Sequence, residues 1–405
     1  MILMQQNSEI LDRVSFLAGD RAGLLAAPEL PALSPFSQEI ISMLEMVSRQ
    51  LMSSAGARLY PDVTTFAFWI RRASLMEMKQ RFARNDGGIC TGRGVAFHIA
   101  PSNVPVNFAY TLAAGLITGN ANIVRVPSRE FPQVELIAGA FEQVLSQDKT
   151  LRPYVNLVRY GRDDEVNAFF SAMADIRVIW GGDETIASLR KALLPPRAVE
   201  ITFADRYSLA VIDSESYLSA EDKTAVARDF YNDTLLTDQN ACTSPRLVVW
   251  LGGEKERAKE EFWRNFHDAA EKKYQLQPIQ SVNKLASSFL AAAAFEKCRI
   301  ETHEDNLLIR VNIPHLGKDI MDLRDNSGFF LEYDCADIME LRGLCDDKRI
   351  QTIGYLGSRD MLRPLLSSGI KGVDRVVPIG RTMDFDLFWD GCDLMTSMTR
   401  KIVVK

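Results

Sequence analysis

The amino-acid sequence predicts an α/β protein, with a doubly wound cofactor-binding domain followed by a second α/β domain. Three observations carry this. From Gly94 onward, short apolar runs alternate with amphipathic stretches at about 30 residues per unit, the pattern of a parallel sheet with crossover helices. The alternation resumes with different spacing after Asp213. At 405 residues, 47% of them hydrophobic, the chain is long enough to bury more than one core.

Taken in order, residues 1–90 read as a helical segment that packs on the cofactor domain. In "SPFSQEIISMLEMVSRQL", Ser37 is a natural N-cap, and Ile40, Ile41, Leu44, Val47 and Leu51 recur close to a 3.6-residue period. A second amphipathic stretch, "DVTTFAFWIRRASLMEMKQRFAR", ends at the Gly87-Gly88 break. Residues 91–213 form the cofactor domain, with strands expected at 95–100, 122–126, 154–160, 176–180 and 208–213. Helices are expected near 104–118, 132–147, 163–174 and 184–194. Residues 214–385 form the second domain. A helix leads to Cys242, followed by the strand "RLVVWL", helices at 254–276 and 282–297, and strands around "NLLIRVNI", "GFFLEY" and "IQTIGYLG". Residues 386–405 are a tail whose "TRKIVVK" reads as a final strand able to complete a sheet elsewhere, in this chain or in a second copy.

Composition narrows the function. A formal charge of −6 with no block of like charges argues against nucleic acid and against an anionic membrane surface. The N-terminal residues lack a basic region followed by an apolar one, and no apolar stretch approaches the roughly 18 residues a spanning helix needs. A cytoplasmic protein is expected. The six cysteines are scattered, without a CxxC pair, which argues against a disulfide framework, and the four histidines form no metal motif, so no metal is expected.

Four stretches carry candidate chemistry. "IRVIWGGDE" is a strand, a Gly-Gly turn and a helix start, where Gly181 and Gly182 would let backbone amides approach a phosphate; it is equally a plain turn. In "NANIVRVPSREFP", Arg125 and Ser128 lie at the carboxyl end of a strand, the edge where open α/β sheets bind ligands. The arginine can grip a phosphate, and the short serine leaves room where an acid would repel a 2′-phosphate; the alternative is a solvated arginine and a helix cap. Asn103, in "HIAPSNVPVNF", is either a turn residue or a neutral donor to an oxyanion, and His98 beside it reads as packed. Cys242, in "TDQNACTSPR", has small polar neighbours, and a thiol at such a junction can lie close to amides that lower its pKa.

Together these stretches resemble the aldehyde dehydrogenase superfamily, and most of all its LuxC-type branch, the fatty acyl-CoA reductases of bacterial luminescence. "HIAPSNVP", "NANIVRVPS", "VIWGGDE", "DQNACTSPR" and "VVPIG…FWDG" stand in that branch's order, and the similarity covers roughly residues 90–400. The resemblance implies an aldehyde dehydrogenase-like fold. It implies Cys242 as nucleophile, with Asn103 and the Cys242 amide as the oxyanion hole. Arg125 stands where many members have a lysine near the ribose, and Ser128 where NAD-preferring members often carry glutamate. Gly181 and Gly182 match the turn beside the pyrophosphate. NADPH is the implied cofactor, with NADH as the alternative.

One departure bears on direction. Where aldehyde-oxidising members carry a general-base glutamate, this chain has "VEITFADRYSLAVID", with Thr202 or a neighbour in register and Glu200 two residues away. The expected reaction is therefore reduction of an acyl thioester, on coenzyme A or an acyl-carrier protein, to an aldehyde through an acyl-Cys242 intermediate. The rivals are an aldehyde dehydrogenase using Glu200 as base, and a nucleotide-binding scaffold without activity. An acyl-activating synthetase is an expected partner, and a homo-oligomer the expected assembly.

Overall fold

The computed structural model describes residues 9–82 and 88–404; Gly87, half of the expected glycine break, lies outside them. The chain divides into two units. One comprises residues up to Ala204 together with the tail from Cys392, and the other runs from Asp205 to Gly391. The division therefore falls ahead of the strand at 208–213, which the sequence reading placed in the cofactor domain.

The first unit contains β1 (Ser15–Ala18), β2 (Ile89–Gly92), β3 (Val95–Ile99), β4 (Ala121–Arg125), β5 (Val155–Arg159), β6 (Ile176–Trp180) and β7 (Val199–Phe203). Six of them make one sheet in the order β1-β5-β4-β3-β6-β7. From β5 to β7 every pairing is parallel, as crossover helices require. The order reverses between β3 and β6, so the ends of these two strands flank a switch point of the doubly wound kind.

The N-terminal region departs from an all-helical reading. Its helix Gln38–Ser53 starts at Ser37, whose hydroxyl accepts from the Ile40 amide, and buries Ile40, Ile41, Leu44, Val47 and Leu51 as the periodicity requires. Ahead of it, however, β1 adds an antiparallel edge to β5. Four residues, "SFLA", are too few to show a two-residue alternation.

The second unit contains β8 (Tyr207–Asp213), β9 (Pro245–Leu251), β10 (Arg299–Thr302), β11 (Ile309–Asn312), β12 (Phe329–Asp334), β13 (Ile350–Leu356), β14 (Arg375–Pro378) and the two-residue β15 (Phe388–Trp389). Seven form a sheet ordered β10-β11-β12-β9-β8-β13-β14, parallel except for β10. Both faces are buried, and the two-residue period divides each central strand between them. Leu247, Val249 and Leu251 of β9, with Leu209 and Val211 of β8, enter one core. Val248 and Trp250, with Ala210 and Ile212, enter the other. The helix expected at 282–297 is Pro278–Ala294, begun by the proline at its first position.

After β15 the tail returns to the first unit. It contributes β16 (Cys392–Asp393) and β17 (Thr399–Ile402), and β17 pairs antiparallel with β2 of the same chain. Among the described residues no helix is long and apolar enough to cross a membrane.

Candidate active site

Cys242 lies on the loop that enters β9. The helix Lys223–Asp233 ends in a single turn, and Asp238 and Gln239 then take left-handed conformations, with φ of 55° and 53°, that turn the chain toward the sheet. Fully buried Gln239 fixes this turn. Its amide nitrogen donates to the carbonyls of Pro245 and Phe329, and its side-chain oxygen accepts from the Gly328 amide at 2.7 Å. Arg246 donates to the Gln239 carbonyl at 2.6 Å, and the Ser208 hydroxyl to the carbonyl of Cys242 itself at 2.7 Å. On the far side, Thr243 donates to the Met383 sulfur. The anchors come from β8, β9, the start of β12 and the segment that carries Met383, so the part-buried Cys242 sits on a turn tied at several points.

The electrostatics differ from the expectation of a lowered thiol pKa. Burial and the nearby Asp390 carboxylate push the Cys242 thiol up to about 12, against a hydrogen bond from Gln351 and the charge of Arg246. The resting group is therefore the neutral thiol. None of the six cysteines is in a disulfide, and among the described residues no group of three acidic, histidine or cysteine side chains could hold a metal.

A buried acid beside this loop behaves similarly. Asp233 accepts from the Gly380 and Thr382 amides at 2.6 and 3.0 Å, yet burial pushes its carboxyl up to about 7. It secures the loop that carries Met383 against Thr243.

The remaining candidates belong to the first unit, at the carboxyl ends of β3, β4 and β6. Asn103 is exposed on the loop between β3 and the helix Asn107–Ile117. His98 is enclosed within β3; its ring nitrogens meet Thr111 Oγ1 at 2.7 Å and Asn122 Oδ1 at 3.0 Å, and burial pushes it down to about 4, which makes it a neutral structural residue. Arg125 is committed to the protein. It donates to the Gly161 carbonyl at 2.7 Å and stacks on Tyr160. Ser128 and Arg129 beyond it are both exposed, with the Arg129 guanidinium over Phe131. The sequence reading passed over Arg129, although it adjoins Ser128.

Gly181 donates to the Phe203 carbonyl, and Gly182 caps the helix Asp183–Leu189 with nothing within 4 Å of where a Cβ would project. That open face admits a close ligand, whereas Asp183 and Glu184 in the first turn oppose the helix's attraction for an anion. These loops flank the switch point, so the residues present fit a nicotinamide dinucleotide at its usual position in such a sheet.

Glu200, the rival base, is spent on structure. Its carboxylate pairs with Arg177 at 2.5 Å and Arg190 at 2.7 Å. Burial alone would raise its pKa, but the hydrogen bonds from Arg190 and Arg177 overcome this and hold it below the usual carboxylate value. A base needs a free lone pair and an affinity for protons, and Glu200 offers little of either.

Comparison with known proteins bears directly on this arrangement. A family model described as acyl-CoA reductase (LuxC) matches residues 66–307, more than half of the chain. The chain belongs to the LuxC acyl-CoA reductase family. A long-chain acyl-protein thioester reductase of Photorhabdus laumondii is 24% identical over 169 residues, covering 41% of this chain and 34% of that protein. The match thus spans about a third of that relative's length. Among solved structures, lactaldehyde dehydrogenase from Escherichia coli superposes with a TM-score of 0.65 at 14% identity, over 99% of this chain and 91% of that one. A variant 1-pyrroline-5-carboxylate dehydrogenase of Thermus thermophilus gives 0.65 at 13%, over 98% and 85%. An NAD-dependent benzaldehyde dehydrogenase from Corynebacterium glutamicum gives 0.65 at 15%, over 96% and 94%. The LuxC-family chain therefore has the aldehyde dehydrogenase fold, as its motifs implied.

Proposed function

We propose that this LuxC-family protein reduces a fatty acyl thioester to the aldehyde through an acyl-Cys242 intermediate. The observation that carries the reading is the Cys242 turn, held by Gln239, Arg246 and Ser208 with the residue itself part-buried. Cys242 attacks the thioester carbonyl, and the proton it gives up leaves with the carrier thiol. Asn103 and the Cys242 amide are assigned the oxyanion. A bound nicotinamide cofactor supplies hydride for reducing the acyl group. Collapse of the resulting tetrahedral adduct frees the aldehyde, and the Cys242 sulfur returns to the thiol by taking a proton from solvent. With Glu200 held in ion pairs, water is poorly activated to intercept the acyl-enzyme, which favours reduction over acid formation.

NADPH is favoured over NADH because no carboxylate precedes Glu130 after β4, and Ser128 and Arg129 are exposed there. Gly182 is assigned the approach to the pyrophosphate, with Gly181 shaping its turn, while Arg125 acts by holding the neighbouring loop. The acyl donor is a coenzyme A or carrier-protein thioester, delivered with or without an acyl-activating synthetase. Six cysteines outside any disulfide suit a reducing cytoplasm. A homo-oligomer is proposed from the family's habit alone.

The test is intact-protein mass spectrometry after incubation with a series of saturated acyl-CoAs and acyl-carrier-protein thioesters, without cofactor. An acyl-sized gain in the wild type and none in Cys242→Ala supports the reading. No adduct from any donor overturns it.

A further inference from the structure

The second unit carries a helix turned the wrong way round. A surface helix ordinarily buries its large apolar side chains and gives its charges to water. The helix Lys255–Glu271 obeys this, burying Phe262, Trp263 and Phe266 and exposing Glu256, Arg257 and Glu260. The next helix, Pro278–Ala294, reverses it. Its inner face is Lys284, Ser288 and Ala291, with the Lys284 Nζ donating to the Asn306 and Leu307 carbonyls at 2.6 and 2.9 Å. Its outer face is apolar: Ile279, Val282, Phe289 and Leu290 are between 61% and 64% exposed, and Leu285 is 49% exposed. Lys284 is the one charged residue of this helix and is fully buried, so no charge reaches the outer face.

The five large side chains present roughly 500 Å² of apolar surface, at the upper end of what a monomer leaves in water. Two such faces together supply about 1,000 Å², where specific protein interfaces begin. The order of the residues says what fits there. Ile279, Val282, Ala286, Phe289 and Ala293, all exposed, follow one another at alternating spacings of three and four, the seam by which one helix packs on another. A lipid surface is disfavoured, because helices that lie on membranes set lysine and arginine in the polar flank of the apolar face, whereas the lysine here is turned inward.

We propose that a second copy of this chain covers the face, the two Pro278–Ala294 helices packing antiparallel across a two-fold axis at Ala286. A two-fold interface must be self-complementary, and this seam is. Ala286 meets its own copy at the axis, where a small side chain lets the backbones approach. Ile279 and Ala293 lie seven residues to either side, so Ile279 of one copy rests on Ala293 of the other, and Val282 enters between Phe289 and Leu290. A parallel pairing would set Phe289 on Phe289 and Ala293 on Ala293, a bulge beside a gap. The exposed charges lie beyond the helix ends, Lys272 and Lys273 before it and Glu296 and Lys297 after it, as the rim of an interface requires.

The inference rests on the proposed homo-oligomer, whose surface it names, and the test separates the two. Sedimentation equilibrium of the full chain at micromolar concentration should give an even-numbered assembly for the wild type and half that mass for Phe289→Glu. The dissociation constant of the pair should rise on the order of 10²-fold, since each pair then buries two charges. Ala286→Cys gives a second readout and decides the matter should Phe289→Glu fail to fold. Mild oxidation should join two such chains through position 286, identified by peptide mapping. Ile279→Cys should not join to itself, because the two thiols would lie about 21 Å apart along the paired helices, far beyond disulfide reach. A wild-type monomer overturns the inference and the homo-oligomer together, and is the result expected if a different protein docks on this face. An assembly that Phe289→Glu leaves whole, or Ile279→Cys joining to itself where Ala286→Cys does not, overturns the inference and leaves the homo-oligomer standing.

Discussion

Among the described residues, most buried side-chain polar atoms without a partner lie in the second unit, although Asn107 Oδ1 and Asn156 Oδ1 of the first unit also lack one. In the first, His98, Thr111, Asn122 and Asn120 close a chain of hydrogen bonds that reaches the backbone of Arg93, and Glu200 is gripped by two arginines. In the second, Ser244 Oγ, Gln351 Oε1, Thr352 Oγ1, Thr382 Oγ1 and Asp390 Oδ2 are all buried without a partner among the described residues. Its acids, Asp233 and Asp390, are pushed up by burial to about 7 and about 6, where Glu200 is held down. Satisfied networks make a scaffold. Unsatisfied ones keep acceptors and titratable groups in reserve for chemistry.

The comparison can be broken most directly at the nucleophile. Cys242→Ala is expected to abolish aldehyde formation in a coupled NADPH assay while leaving the far-UV circular dichroism unchanged; residual turnover above background would remove the second unit's claim to the chemistry. Arg177→Leu probes the opposite case. It strips Glu200 of its buried partner and frees the carbonyls of Leu189 and Ala192, so urea denaturation should show a loss of about 3 kcal/mol. A loss below about 1 kcal/mol would deny that this pair is structural.

Asp233 sharpens the contrast through pH. Its carboxyl is raised in the folded protein, so between about pH 4 and pH 7 the unfolded chain is ionised while the folded one still holds the proton. Stability from this group is complete at lower pH and falls as pH rises through that window, by about 1.4 kcal/mol per pH unit. Urea midpoints across the window should lose this slope in Asp233→Asn. The smallest effect is expected at the first unit's exposed edge. Ser128→Glu should raise KM for NADPH about fivefold, ~1 kcal/mol, with little change for NADH; equal changes for both cofactors would assign Ser128 no part in the choice.

What the sequence revealed follows from how local each feature is. The central parallel strands were legible as short apolar runs, and Cys242 stood out by its small polar neighbours, whereas the outer parallel strands β7, "VEITF", and β14, "RVVP", are only partly buried and were not among the expected strands. The strand β1 carried too little pattern. Arg125 was legible as a residue at a strand's end, but the destination of its side chain, the Gly161 carbonyl, depends on a loop that sequence does not place. Gln351 and Asp390 meet only because the sheet and the Asp-Gly turn bring them together. The thiol's raised pKa has the same origin, since burial and the charge of Asp390 are tertiary properties.

The pairing of β17 with β2 also sets a timetable. Strand β2, the buried Asn120 that donates to the Met398 carbonyl, and Arg93 that donates to the Ser397 carbonyl all need residues that follow the entire second unit. At ordinary translation speeds the ribosome delivers those residues on the order of ten seconds after the first unit's own sheet has emerged. Within the first unit, β2 therefore stays without this partner strand until residues beyond the second unit have been made.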